Sequence, residues 1–455
     1  MIENLPVAVI GAGPVGLAAA AHLLERGLEP MIFEAGGTPG AAIEQWRHIR
    51  LFSPWRFNVD AAAVRLLQPT GWESPRPTAL PYGGELIDSY LVPLASTPQI
   101  AATLHTESRV LAVTRQGKDK THGGDREATP FVVRVDHRGG DVRDHIVSAV
   151  IDASGTWSTR NPLGTSGLPA IGEAGAGHRI SSPLPDVMGR DRAAFAGRRV
   201  LVVGAGHSAA NTLINLSELA KDEPDTRILW AVRGASASKV YGGGDADGLP
   251  ARGQLGARLR RLVDAGKIKL HTGFGISSLF DAERGLTVTA GDGRALVTDV
   301  VVPCTGFRPN LEMLRELRLS LDPAVEAPTE LGPLIDPEFH SCGTVPPHGA
   351  KVLAHPEKGF YIVGMKSYGR APTFLLATGY EQVRSVAAAL AGDQVAADTV
   401  HLELPETGVC SSDAATSCDV PATETKEVAE GGCCSAPEPV LIGIPTGLAH
   451  GRSGV

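Results

Sequence analysis

The chain has 455 residues, 43% hydrophobic and 20% charged, a soluble globular composition on a chain too long for one comfortable core. The formal net charge of −8 argues against a general nucleic-acid or membrane-surface binder. From Leu402 onward eight acids face two bases, so the body is close to neutral. No stretch approaches an uninterrupted membrane span, and the apolar start lacks the basic leader of a signal peptide, so a cytosolic protein is expected.

Val7-Ala-Val-Ile10 reads as a strand that runs into Gly11-Ala-Gly13-Pro14-Val-Gly16 and then a helix. In such a turn the first glycine allows a sharp reversal and the second lets the backbone approach a pyrophosphate. The third permits close helix–strand packing. The helix N-terminus adds free N–H groups and a favourable dipole for phosphate. Met31-Ile-Phe-Glu34 is the next strand, and an acid at its end suits the ribose hydroxyls of FAD or NAD.

A loop rich in Trp, Arg and Phe follows, Trp46 to Asn58. His48, Arg50, Ser53 and Asn58 are candidate hydrogen-bond donors to a reacting group. The other reading is that Trp46, Phe52 and Trp55 pack a cofactor edge while the polar side chains fix the loop. Gly84 to Leu94 has helical apolar spacing, and Arg109–Thr114 and Phe131–Val135 alternate as half-buried strands. Ala149-Val-Ile-Asp152-Ala-Ser154-Gly155 is a further strand ending in small residues that return to the nucleotide.

Residues 160–195 are rich in Gly, Pro and Ala and read as a crossing into a second domain. There Val200-Leu-Val-Val-Gly204-Ala-Gly206-His207-Ser208-Ala209 repeats the strand, glycine turn and helix, with Ala209 as the small third residue. The strand after this helix ends in Arg233 rather than an acid. A guanidinium there can clamp a 2′-phosphate and favours NADPH, the alternative being a solvated loop arginine. Gln254–Ala265 is an amphipathic helix, and Val300 to Cys304-Thr-Gly306 resembles the junction at Gly155. The chain is therefore expected to cross back near 306. Gly359–Gly364 contains another strand, and a final helix begins near Thr378, where Thr373 and Thr378 are candidates to offer N–H groups to a flavin.

Two such turns imply two dinucleotides, and hence electrons passing from a nicotinamide to a flavin. The expected fold is α/β, with two Rossmann-like three-layer dinucleotide-binding domains, the NADPH domain inserted in the FAD domain. The parts are 1–190 and 307–404 for FAD, 191–306 for NADPH, and a disordered cysteine-bearing tail over 405–455. Beyond Leu404 there is too little apolar material to offset ordering entropy. Cys410, Cys418, Cys433 and Cys434 all fall in that tail. Their thiolates suit a soft ion such as trivalent arsenic, or a redox shuttle, or they are passengers.

The order of these motifs resembles the two-dinucleotide-binding-domain flavoproteins: flavin-containing monooxygenases, their Baeyer–Villiger relatives and thioredoxin-reductase-like enzymes. The residues that carry the resemblance are Gly11-x-Gly13-x-x-Gly16 with Glu34, Asp152 to Gly155, Gly204 to Ala209, and Cys304-Thr-Gly306-Phe-Arg-Pro-Asn310. Ser154-Gly-Thr-Trp157 with Asn161-Pro162 is closer to the monooxygenase branch, which implies a small-molecule substrate and molecular oxygen. The tail resembles that of flavoproteins associated with bacterial arsenic-resistance clusters. The chain departs from the monooxygenase fingerprint at Leu201, where a histidine would stand. It departs from the reductase branch at Gly364-Met365, where that branch has Gly-Asp, and has no cysteine pair before Cys304. Gly306 and Gly364 join the expected cofactor contacts, and a homodimer is among the candidate partners.

Overall fold

The computed structural model describes residues 4–241, 250–337, 345–372 and 374–402. The chain divides after Ser412 into two units, and the second lies wholly outside the described residues. Thr373, Cys342 and the four tail cysteines lie outside them too, as does the stretch expected to be disordered.

In chain order the strands are β1 Val7–Ile10, β2 Pro30–Phe33, β3 Leu104–His105, β4 Ser108–Arg115, β5 Phe131–His137, β6 Asp141–Val147 and β7 Ala149–Asp152. Then come β8 Arg199–Val203, β9 Arg227–Ala231, β10 Lys269–His271 and β11 Ile276–Ala282. The last are β12 Gly285–Ala290, β13 Ala295–Thr298, β14 Val300–Pro303 and β15 Phe360–Ile362. One parallel sheet has the order β15-β7-β1-β2-β3 and a second has β10-β9-β8-β14. Two antiparallel meanders, β4-β5-β6 and β11-β12-β13, accompany them.

Both central strands are buried on two faces, and their side chains divide by the period of two. Val7 and Val9 join the core under the helices Pro14–Glu25 and Leu376–Leu390, while Ala8 and Ile10 join Val133 and Val135 of the β4–β6 meander. In β8, Val200 and Val202 face the helices His207–Asp222 and Pro250–Asp264, while Leu201 and Val203 face Leu286 and Val288 of β12. Leu201 is fully buried at that sheet-on-meander contact, which explains an aliphatic residue where the monooxygenase pattern has histidine.

The first sheet takes four strands from before residue 190 and its fifth, β15, from after 307. The boundary at 190 is displaced. Leu163, Ala170 and Ala176 share a core with Leu201, Phe274 and Leu279, and Ile171 bridges to Ser278 in β11. The apolar residues of this Gly/Pro-rich stretch are too sparse to form a long element and find their partners in the second sheet and its β11–β13 meander. The actual crossing is at Arg160, which pairs in antiparallel fashion with Phe307. Asn161 N–H donates to Gly306 O at 2.9 Å and Thr305 Oγ1 donates to Asn161 O at 2.6 Å. Outgoing and returning chains thus run side by side.

Candidate nucleotide sites

Each parallel sheet ends at a glycine turn that opens a long helix. In the first, Gly13 is the extended residue before the helix, Pro14 occupies its first turn, and no side chain caps it and no acid lies in that turn. Pro14 costs the helix nothing there, since the first N–H groups lack intrahelical partners. A Cβ at Gly16 would run into the Gly11 carbonyl oxygen, which is the close helix–strand contact the motif demands. A Cβ at Gly13 would meet no protein atom within 4 Å. That open space faces unsatisfied N–H groups and fits a pyrophosphate.

Glu34 stands at the end of β2, one strand away. Its Oε2 accepts from Ala12 N–H and its Oε1 from Gly36 N–H, both at 2.8 Å. Each oxygen retains a lone pair for a ribose hydroxyl. On the other side of β1, Asp152 ends β7. Its Oδ1 accepts from Ser154 N–H at 3.1 Å and from Ser154 Oγ–H at 2.6 Å. Its Oδ2 accepts from Lys366 Nζ at 2.6 Å, and Lys366 also donates to Ser154 Oγ at 3.1 Å. Asp152 and Lys366 are buried, whereas Ser154 is exposed beside Gly155. Gly364 begins the turn that carries Lys366, and its N–H is held by Gln382 Oε1 at 2.7 Å.

The expectation for Thr378 is corrected. The final helix starts at Leu376, so Thr378 is a buried helical residue whose N–H is already donated to Leu375 O at 3.0 Å.

In the loop after the first βαβ unit, Ser53 Oγ donates to Asn58 Oδ1 at 2.8 Å, and Asn58 Nδ2 donates to Ser53 O at 2.7 Å and Pro54 O at 3.1 Å. Asn58 is buried, and its own carbonyl accepts from Tyr380 Oη at 2.8 Å. These two side chains spend their hydrogen bonds on shaping the loop. Arg50 is exposed, its guanidinium 5.9 Å from the Tyr82 ring centre. His48 is half-buried against Pro185 and Asp186. Burial holds its imidazole below the usual histidine range, with the Asp186 carboxylate opposing, and its buried Nε2 has no hydrogen-bond partner. Trp46 lies 6.4 Å from Trp157, which lies 4.7 Å from Phe307, so an aromatic row lines the paired crossings.

At the second turn Gly206 is the extended residue before the helix, again without a side-chain cap or an acid in the first turn. Trp230 Nε1 donates to Gly204 O at 2.8 Å, and Ala209 is fully buried in the third position. Ser208 is half-buried, and His207 sits 5.1 Å from the Phe52 ring, bringing the loop of the first site to the second turn. Arg233 lies just past β9, exposed and without an ion pair among the described residues. Gly306 is at the returning crossing, beside Asn161. No group of three or more metal-ligating side chains gathers among the described residues, and no described helix is long and apolar enough to cross a membrane.

A family model described as an NAD(P)-binding Rossmann-like domain matches residues 9–71. A ferredoxin–NADP reductase of Methylibium petroleiphilum is 23% identical over 370 residues, 80% of this chain and 85% of that protein. Among solved structures, a bacillithiol disulfide reductase from Bacillus cereus aligns over 85% of this chain and 99% of its own, with a TM-score of 0.61 and 19% identity. A flavin monooxygenase from Stenotrophomonas maltophilia aligns over 85% and 98%, with a TM-score of 0.53 and 23% identity. The chain shares its fold with both of these solved structures. Sequence reasoning did not single out Lys366. A lysine after Gly-Met carries no local signal, and its partner Asp152 lies 214 residues away.

Proposed function

We propose that the protein is an FAD-dependent oxidoreductase that draws electrons from NADPH and, within that class, a monooxygenase acting on a small organic molecule. The observation that carries the class is the pair of uncapped glycine turns at the ends of two parallel sheets, brought together by Phe52 and His207. The first turn with Glu34 holds FAD, and the second with Arg233 holds NADPH. Bound there, the two cofactors supply hydride transfer, and FAD supplies the chemistry with oxygen. The chain's own work is to bind, align and keep the junction dry. Trp46, Trp157 and Phe307 exclude water at the crossings. His48, whose imidazole burial holds below the usual histidine range, places in the loop an Nε2 without a hydrogen-bond partner among the described residues.

The monooxygenase reading over a dithiol reductase is supported by Cys304, the one described cysteine. Burial pushes its thiol up to about 12, so it supplies no thiolate for disulfide exchange. A reductase using the tail cysteines as a swinging arm is the second reading, and the connection with arsenic rests on those four cysteines alone. The deciding experiment follows NADPH oxidation by the full chain in air and under nitrogen with an added disulfide. Oxygen uptake matched to NADPH loss supports the monooxygenase. Rapid anaerobic turnover that needs the disulfide would replace it with the reductase.

A further inference from the structure

The buried lysine beneath the first site has a consequence for how the cofactor is held. Asp152 is 0% and Lys366 1% exposed. Removing two ions from water carries a heavy desolvation penalty, and an apolar pair of similar volume would often be no less stable. The arrangement does one thing an apolar pair could not: it fixes the direction of a hydroxyl. Ser154 has a single hydroxyl proton, and Asp152 Oδ1 takes it. One of the two oxygen lone pairs takes a proton from Lys366 Nζ. What remains on this exposed side chain is one lone pair. Ser154 therefore presents an acceptor, and only an acceptor, to whatever lies above it.

The sheet order says what that is. Glu34 ends β2, the Gly11–Gly16 turn ends β1, Asp152 ends β7 and Gly364 follows β15, in the spatial order β15-β7-β1-β2. Ligands of such sheets lie across the carboxyl ends of the strands. A dinucleotide with its adenosine ribose at Glu34 and its pyrophosphate at the turn extends its other half over β7 toward β15. In FAD that half carries the ribityl hydroxyls, which are donors.

We propose that Lys366 is a positioning residue which, through Asp152, locks the Ser154 hydroxyl as the acceptor for a ribityl hydroxyl of FAD. The assignment rests on FAD as the occupant of the first site. It gives this chain a means of holding that half of the cofactor without the acid of the reductase Gly-Asp pair, whose place Met365 takes.

The test is calorimetric titration of the apoprotein with FAD and with ADP, which shares the adenosine and the pyrophosphate but lacks the ribityl chain and flavin. Ser154→Ala removes the hydroxyl but leaves the Asp152–Lys366 ion pair in place, and should weaken FAD about tenfold while leaving ADP unchanged. Lys366→Met combined with Asp152→Asn leaves no charge buried alone and should weaken FAD by a similar factor. Adding Ser154→Ala to that pair should cost nothing more, because the three residues act as a unit. Full FAD affinity in Ser154→Ala overturns the proposal, and so does full affinity in the paired variant. A parallel loss of FAD and ADP in the paired variant makes Lys366 merely structural and overturns it too. If the paired variant does not fold, Ser154→Ala with Ser154→Thr decides: Thr keeps the hydroxyl and should restore FAD binding, and failure to do so counts against the lock. A wild-type apoprotein that binds ADP but not FAD would instead sink the cofactor assignment before any variant is made.

Discussion

Gly13 and Gly16 are three residues apart, yet a side chain at each would meet different things. At Gly16 it would strike the Gly11 carbonyl, so even alanine should loosen the strand–helix contact itself. At Gly13 it would meet open space, so Gly13→Val should fold normally and lose its flavin. Matching circular dichroism with a colourless protein is the expected result. Retained yellow colour would show that the pyrophosphate does not lie there. Arg233 has a comparable clarity, because nothing in the described structure competes for its charge. Arg233→Ala should raise the KM for NADPH about ten- to a hundredfold, the worth of a lost charge-assisted contact of roughly 1.5–3 kcal/mol. NADH should be nearly unaffected, and equal changes for both would make the arginine structural.

Among the elements, the helix Leu376–Leu390 holds the turn that carries Lys366 through Gln382. Gln382 accepts from Gly364 N–H and donates to Ser367 Oγ at 2.9 Å, with His348 Nε2 2.9 Å from the same amide nitrogen. Gln382→Leu strands a buried N–H and should cost about 1–3 kcal/mol in urea unfolding of the apoprotein. It should also release FAD more readily, because the turn carrying Lys366 loses its tether. An unchanged unfolding midpoint would mean that the turn holds itself. This network was not legible in the sequence, since its members are polar residues far apart along the chain. The legible parts were those with a periodic signal: β1, β8, their helices, β4 and β5. By contrast β6 begins Asp141-Val-Arg-Asp144, an exposed charged edge that shows no alternation of apolar residues. The β11–β13 meander is masked by Ser, Thr and Asp along its open face. Thr378 was misread because the last helix begins two residues earlier than its polar signal suggests.

For the whole molecule, both nucleotide sites precede the tail, and the body from Met1 to Ser412 is compact by itself. A chain ending at Leu404 should therefore fold, keep its flavin and reduce it with NADPH at the full-length rate in stopped flow. If the tail cysteines are soft-metalloid ligands, the same truncation should abolish stoichiometric arsenite binding. Should the full chain bind no arsenite, yet lose disulfide reduction on truncation, the swinging-arm reductase becomes the better account.

The side-by-side crossings at Asn161 and Gly306 make residues 162–305 a removable cassette. Its two ends leave the first sheet within one hydrogen bond of each other, at 2.9 Å. No residue between 162 and 305 contributes to either core of the first sheet. Excising 162–305 and joining the cut ends through a tight turn should give a miniature flavoprotein that binds FAD and ignores NADPH. If the miniature cannot fold, the two halves are one cooperative unit despite their separate cores.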